Sequence, residues 1–122
     1  MIGRIAALLL VLMTGASAAE DGRALFNTCR ACHSLDPATK VMAGPNLAGL
    51  IGRKVAGDPA FGYSPVLRAA RDQGRVWTAE ALERFIAEPE AMFPGTWMSR
   101  VPIGSAAAHA ALARFIADPA SR

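Results

Sequence analysis

Cys29-Arg30-Ala31-Cys32-His33 is the stretch that most constrains this chain. Within a helical turn, positions three and four apart share one face. Two thiols and an imidazole therefore look toward a common object. A bare Cys-x-x-Cys also suits a redox dithiol or half a zinc site. The His directly after the second Cys makes the run an attachment signature for covalent haem. Cys29 and Cys32 can form thioethers with the two vinyl groups on the haem edge, and His33 then sits under the iron as the proximal ligand. The chain has two cysteines in all, so haem attachment uses both and leaves no thiol over. A zinc or dithiol reading without haem is weaker, because three clustered ligands do not complete a structural zinc site.

Residues 1–19 read as a cleaved secretory signal peptide, with Arg4, an apolar run from Ile5 to Met13, and small residues through Ala16-Ser17-Ala18-Ala19. The run is shorter than the roughly 20 residues that span a bilayer, so the mature chain is expected to have no transmembrane segment and to be soluble in the periplasm. What remains, 20–122, is one domain of roughly 100 residues, a size at which burial is modest and a bound cofactor helps complete the core. The formal net charge of +3 falls to about +2 without Arg4. Two ionised haem propionates would bring it near zero. The basic residues are scattered and almost all are Arg, with Lys40 and Lys54 the only lysines; nothing here points to nucleic acid.

The rest of the chain alternates helix signals with long irregular stretches. Asp21 is an N-cap candidate for a helix running from Gly22 into the haem motif, with Leu25 and Phe26 on its apolar face, ending near Ser34 to Asp36 before Pro37. From Pro37 to Arg75 periodicity is lost among Gly and Pro. A loop of that length is unusual in a compact domain unless it wraps something other than protein, which a haem would supply. Ser64-Pro65 can open a short helix through Val66 and Leu67 toward Ala70. Thr78 is the N-cap of a clearer helix, with Trp77 and Leu82 at staple spacing and Leu82, Phe85 and Ile86 as its buried stripe, stopped at Pro89. A turn-rich stretch around Pro94-Gly95 follows. Ser105 caps a last helix with Leu112, Phe115 and Ile116 inward, stopped at Pro119. The run 81–89 resembles 111–119, which reads as two similar amphipathic helices and not as a repeat array, for which at least three units are needed. No strand pattern is convincing. Met42 reads as a gap filler in a loop, and His109 as an exposed helix residue.

These motifs together resemble the class I c-type cytochromes of mitochondria and bacteria, over essentially the whole mature chain. Cys29 to His33 matches the attachment motif; Gly44-Pro45-Asn46-Leu47, Gly49-Leu50 and Gly52-Arg53-Lys54 match the loop on the proximal side. Phe61-Gly62-Tyr63-Ser64 and Trp77 match the segments that reach the propionates, and Pro94-Gly95-Thr96-Trp97-Met98 the turn bearing the distal methionine. The resemblance implies a small all-α cytochrome c fold: N- and C-terminal helices crossing at Gly22, Phe26, Leu112 and Phe115, with short helices and loops wrapping one covalent haem c. It implies His33 and Met98 as axial iron ligands and the Pro45 carbonyl as acceptor from the other His33 ring N–H. Arg53, Tyr63, Trp77 and Thr96 are implied in the haem environment.

Three departures from the family pattern stand out. Phe85 replaces a Tyr whose hydroxyl lies near the methionine ligand. Leu67 replaces an Asn in the haem-facing loop. Glu90, Ala91 and Trp97 occupy positions that are lysines in mitochondrial members, so the haem edge is expected to be less basic and partner association less dependent on ionic strength. The function implied is single-electron carriage in a respiratory or other periplasmic chain, between a redox protein donor and acceptor, by a monomer or a subunit of a redox complex. One alternative is a haem subunit permanently docked to a periplasmic dehydrogenase, for which the apolar turn around Met92, Phe93 and Trp97 is a candidate patch. A haem peroxidase or ligand sensor fits less well, because no His, Asp or Glu adjoins Met98 to move protons.

Overall fold

The structure is a computed structural model that describes residues 20–40 and 42–120. The signal-peptide expectation for 1–19 lies outside the described residues. Among the described residues five helices appear in order: α1 (Gly22–Leu25), α2 (Pro65–Asp72), α3 (Ala79–Ala87), α4 (Pro89–Met92) and α5 (Ala106–Ala117), with a 3₁₀ turn over Phe26–Thr28 directly after α1. Among the described residues, the extended pairing is confined to an isolated antiparallel bridge between Lys54 and Val76.

The helix starts follow the capping chemistry of the sequence. Asp21 Oδ1 accepts from the Arg23 and Ala24 N–H groups, Thr78 Oγ1 from Ala81 N–H and Ser105 Oγ from Ala108 N–H. Each satisfies a donor that the first helical turn leaves orphaned. Ser64 precedes α2 with Pro65 at its first position, but its side chain makes no cap hydrogen bond. The similar segments 81–89 and 111–119 fold alike. α3 and α5 both stop at the residue before an acidic cap, Glu88 or Asp118, whose N–H bonds back to the Arg84 or Arg114 carbonyl. A Pro follows each cap, as expected past a helix end.

Two elements differ from the sequence expectation. The first helix is short. After Leu25 the chain tightens, with Cys29 N–H on the Phe26 carbonyl and Cys32 N–H on that of Cys29, both three residues back, before His33 N–H returns to Cys29 at 2.9 Å. The haem motif is thus a chain of tight turns, not the end of a regular helix. At the other point, Pro89 does not simply end α3. It also occupies the first position of α4, where its missing N–H costs nothing.

The core is a helix crossing. α5 packs against both α1 and α3. Phe26 and Leu112, both fully buried, lie at its centre with Phe115, Ile116, Leu82, Phe85 and Ile86; burial of each such side chain contributes roughly 1.5–3 kcal/mol. Phe26 and Phe115 meet with ring centroids 5.7 Å apart. Gly22 makes the crossing possible: a Cβ there would lie 2.7 Å from Phe115 Cβ and closer still to the Ala111 carbonyl oxygen. A second aromatic group, Trp77 with Phe85 and Phe93, joins α3 to the loops, its three ring pairs 5.3–6.3 Å apart.

Candidate haem site

His33 is the best-held group in the motif. It is half-buried, and its Nδ1–H donates to the Pro45 carbonyl at 2.7 Å. That bond fixes the tautomer and leaves the Nε2 lone pair unengaged, the state a metal requires. Burial pushes the His33 pKa down and the Pro45 bond partly offsets this, so the ring is held neutral. Gly44 lies flat against it: a Cβ there would be 2.8 Å from Nδ1 and 2.9 Å from Nε2. Gly44 N–H in turn donates to the Cys32 carbonyl at 2.8 Å, so the proximal loop is bonded directly to the motif.

Cys29 is half-buried and Cys32 exposed, and the two are not joined in a disulfide. Burial raises the Cys29 pKa, against a smaller opposing effect of the Thr28 hydroxyl, which lies 3.7 Å from its sulfur. Cys29 also packs against the main core, and so do Met98, Leu67 and Leu47. The fold therefore brings the Cys29–His33 motif and the Met98 turn, distant in sequence, to one apolar cluster. Met98 is half-buried there, on a segment that follows Gly95, whose φ is 89°.

The remaining expected residues fall into a connected group. Arg53 Nη2 donates to the Asn46 carbonyl at 2.7 Å, while its backbone carbonyl accepts from Trp77 N–H at 2.9 Å. Trp77 is buried edge-on to Phe93, and the Phe93 carbonyl accepts from Thr96 N–H at 2.9 Å. Tyr63 is buried, with its hydroxyl oxygen accepting from Asp58 N–H at 3.1 Å, so its own O–H can still donate. Burial raises its pKa, the hydrogen bond from Asp58 N–H and, more weakly, the neighbouring Arg53 and Arg71 only partly opposing this.

Three buried side-chain atoms have no hydrogen-bond partner among the described residues: Arg53 Nε, Ser64 Oγ and Thr96 Oγ1. All three can donate, and an unpaired buried polar atom costs roughly 1–3 kcal/mol. Donors of this kind suit an anionic, oxygen-rich group, so the residues fit a haem with its carboxylates. Ser64 lies in the 61–64 segment that the resemblance brings to the propionates, but no role of its own was expected for its side chain beyond capping. Its Ser-Pro context reads as a helix cap, and only its failure to cap α2 reveals the hydroxyl as available.

Several expectations need correction. His109 is not exposed on its helix; it is buried, and its Nε2–H donates to the Ile103 carbonyl. Nor do Met92, Phe93 and Trp97 form one apolar patch. Phe93 is 2% exposed, buried with Trp77, and Met92 is half-buried, whereas Trp97 is 68% exposed. Met42 lines a cavity of about 150 Å³ with Gly44, Pro45 and Phe61.

With that geometry in view, comparison with known proteins is decisive. The chain is 40% identical over 78 residues to cytochrome c2 of Agrobacterium tumefaciens (strain II Chrys), covering 64% of this chain and 70% of that protein. It is 40% identical over 77 residues to cytochrome c-550 of Ancylobacter novellus, covering 63% and 72%. The chain belongs to the class I c-type cytochromes. No protein-family model matches it. Among solved structures, ferricytochrome c2 of Rhodopseudomonas palustris superposes with a TM-score of 0.71 at 30% identity, over 80% of this chain and 97% of that one. Cytochrome c2 of Rhodospirillum centenum superposes with a TM-score of 0.72 at 27% identity, over 78% and 92%. This cytochrome is accordingly a small electron carrier with one covalently attached haem c, and not an enzyme. No helix among its described residues is long and apolar enough to cross a membrane.

Proposed function

We propose that this cytochrome shuttles single electrons between redox proteins in the periplasm, with His33 and Met98 as axial ligands of a haem held through Cys29 and Cys32. When bound, the haem supplies a one-electron iron couple. The observation that carries the ligand assignment is the 2.7 Å bond from His33 Nδ1–H to Pro45, which presents a neutral ring through Nε2. The half-buried thioether of Met98, packed on the same core as Cys29, supports its role as the second ligand. A neutral, soft thioether favours the ferrous state and raises the potential. Arg53, Tyr63, Ser64 and Thr96 serve as donors to the haem carboxylates, with Trp77 closing that side. Export rests on the leader-like residues 1–19.

A second reading is favoured by one observation, the 68% exposure of Trp97 directly before Met98. An exposed Trp next to the ligand turn suits a lasting dock to a larger redox enzyme, since Trp is enriched among residues that dominate binding energy. Co-purification with such a partner would favour it.

The test of the ligand assignment is a redox titration followed by optical spectra. The oxidised protein is expected to show the long-wavelength sulfur-to-iron band at neutral pH. Met98→Ala should abolish that band, lower the potential and open the iron to added ligands. A wild-type spectrum without the band at neutral pH would overturn Met98 ligation.

A further inference from the structure

The segment that carries Met98 is poorly supported from within. Among the described residues, no backbone N–H from Trp97 to Val101 finds a hydrogen-bond partner, and Pro102 has none to offer. The chain here is irregular, between the end of α4 and the start of α5. Apart from the packing of Met98 and Val101 on the core, what fixes it is attached near its two ends. Upstream, Glu90 of α4 accepts from Gly95 N–H at 3.0 Å through Oε1. Downstream, the buried His109 of α5 donates from Nε2 to the Ile103 carbonyl. Gly95 lies three residues before Met98, and Ile103 five after it.

A third link, Arg100 to Glu88, is of a different weight. It spans 3.7 Å and both side chains are more than half exposed. Exposed pairs of this kind contribute little and are screened by salt. The Glu90 bond is exposed as well, but it is charge-assisted and runs to a backbone N–H five residues on, and the His109 bond is shielded from water; both classes are worth more than an exposed pair of long side chains.

We propose that Glu90 and His109 are positioning residues that clamp the two ends of the Met98 segment and thereby set how firmly Met98 competes for the iron. The inference rests on Met98 ligation as proposed above. It gives His109 a use for its burial: an imidazole placed among alanines, on a helix face where an apolar residue would pack without a polar partner, is retained because its N–H reaches the ligand segment. It also gives Glu90 a use at a position where mitochondrial members carry a basic residue.

The experiment uses the oxidised holoprotein and imidazole as a competing ligand, with the sulfur-to-iron band as the reading of Met98 ligation. Loss of one such bond should loosen the segment by a factor of about 5–30. Imidazole should therefore bind about 5- to 30-fold more tightly to Glu90→Ala and to His109→Ala than to the wild type, with a lower reduction potential in both. Glu90→Gln and His109→Gln keep an acceptor and a donor of similar reach, and should return most of the wild-type resistance. His109→Gln together with Glu90→Ala also keeps the test open if His109→Ala folds poorly. A role confined to global stability predicts a lower denaturant midpoint with imidazole affinity unmoved. That result, or imidazole affinity within twofold of wild type in both alanine variants, overturns the clamp. A wild-type protein without the band would sink Met98 ligation and the clamp together; a band in the wild type with unmoved variants sinks the clamp alone.

Discussion

At the scale of single residues, the informative atoms are the ones the protein leaves unpaired. Ser64 Oγ and Thr96 Oγ1 are buried without a partner among the described residues. If they remain orphaned in the holoprotein, replacing them by apolar groups of similar shape is neutral or stabilising. If they donate to an ionised carboxylate of the haem, the same replacements cost about 1.5–3 kcal/mol each. Ser64→Ala and Thr96→Val in the holoprotein are expected to take the second course, with a lower denaturant midpoint and a shifted potential. Unchanged midpoints in both would remove these hydroxyls from the haem environment. Much of the site at this scale was legible in advance. Cys29, Cys32 and His33 carry their chemistry in their spacing, and Pro45 and Gly44 sit against His33 as the resemblance implies. The donor role of Ser64, within a segment the resemblance brings to the haem, and the burial of His109 were not legible. A serine before Pro reads as a cap unless its oxygen is seen to be unused, and a lone histidine in an alanine-rich helix reads as surface until the Ile103 carbonyl, supplied by a loop, is found beside it.

At the scale of elements, capping was predictable except at Ser64, whose side chain leaves α2 uncapped, and continuity was not. Asp21, Thr78 and Ser105 each accept the N–H groups that local sequence assigns to them, because a cap is a contact within three residues. The length of α1 is set otherwise. Apolar spacing alone extends it into the haem motif, yet three-residue-back bonds tighten the chain after Leu25, and the Gly44-to-Cys32 bond pulls the motif toward the proximal loop. α4 was hidden because Pro89 signals a stop and a start with equal force. The one point where α1 has no latitude is Gly22. A Cβ there meets the Ala111 backbone, which is part of a helix and cannot rotate away, as well as Phe115. Gly22→Ala should therefore part the helices despite alanine's better helix propensity. The expected cost is about 1–3 kcal/mol, typical of overpacking, read as a lower denaturant midpoint. A midpoint at or above wild type would show that α1 can slide, and that its crossing with α5 is looser than the 5.7 Å Phe26–Phe115 contact indicates.

At the scale of the whole molecule, recognition of a partner cannot lean on charge. The net charge of +3 includes Arg4 of the leader-like segment, and two ionised propionates offset what remains, to about zero. Around the Met98 turn the exposed charges nearly cancel: Arg100 faces Glu88, which leaves the Glu90 carboxylate, hydrogen-bonded by the neutral Gly95 N–H, as a single net negative charge. Lowering ionic strength from 0.1 M to 0.01 M lengthens electrostatic reach from about 10 to about 30 Å, which accelerates association only where opposite charges face each other. With no such field, contact must be made by shape and apolar surface, and Trp97 is the large side chain most exposed there. The bimolecular electron-transfer rate with a physiological partner is therefore expected to change by no more than about twofold over that salt range, far below the 10- to 1,000-fold of strong steering. Trp97→Ala should slow it several-fold at every salt concentration, with the potential unchanged, because the indole lies outside the core that holds Met98. A steep fall in rate with salt, or a Trp97→Ala protein that reacts as fast as wild type, would return recognition to the scattered arginines.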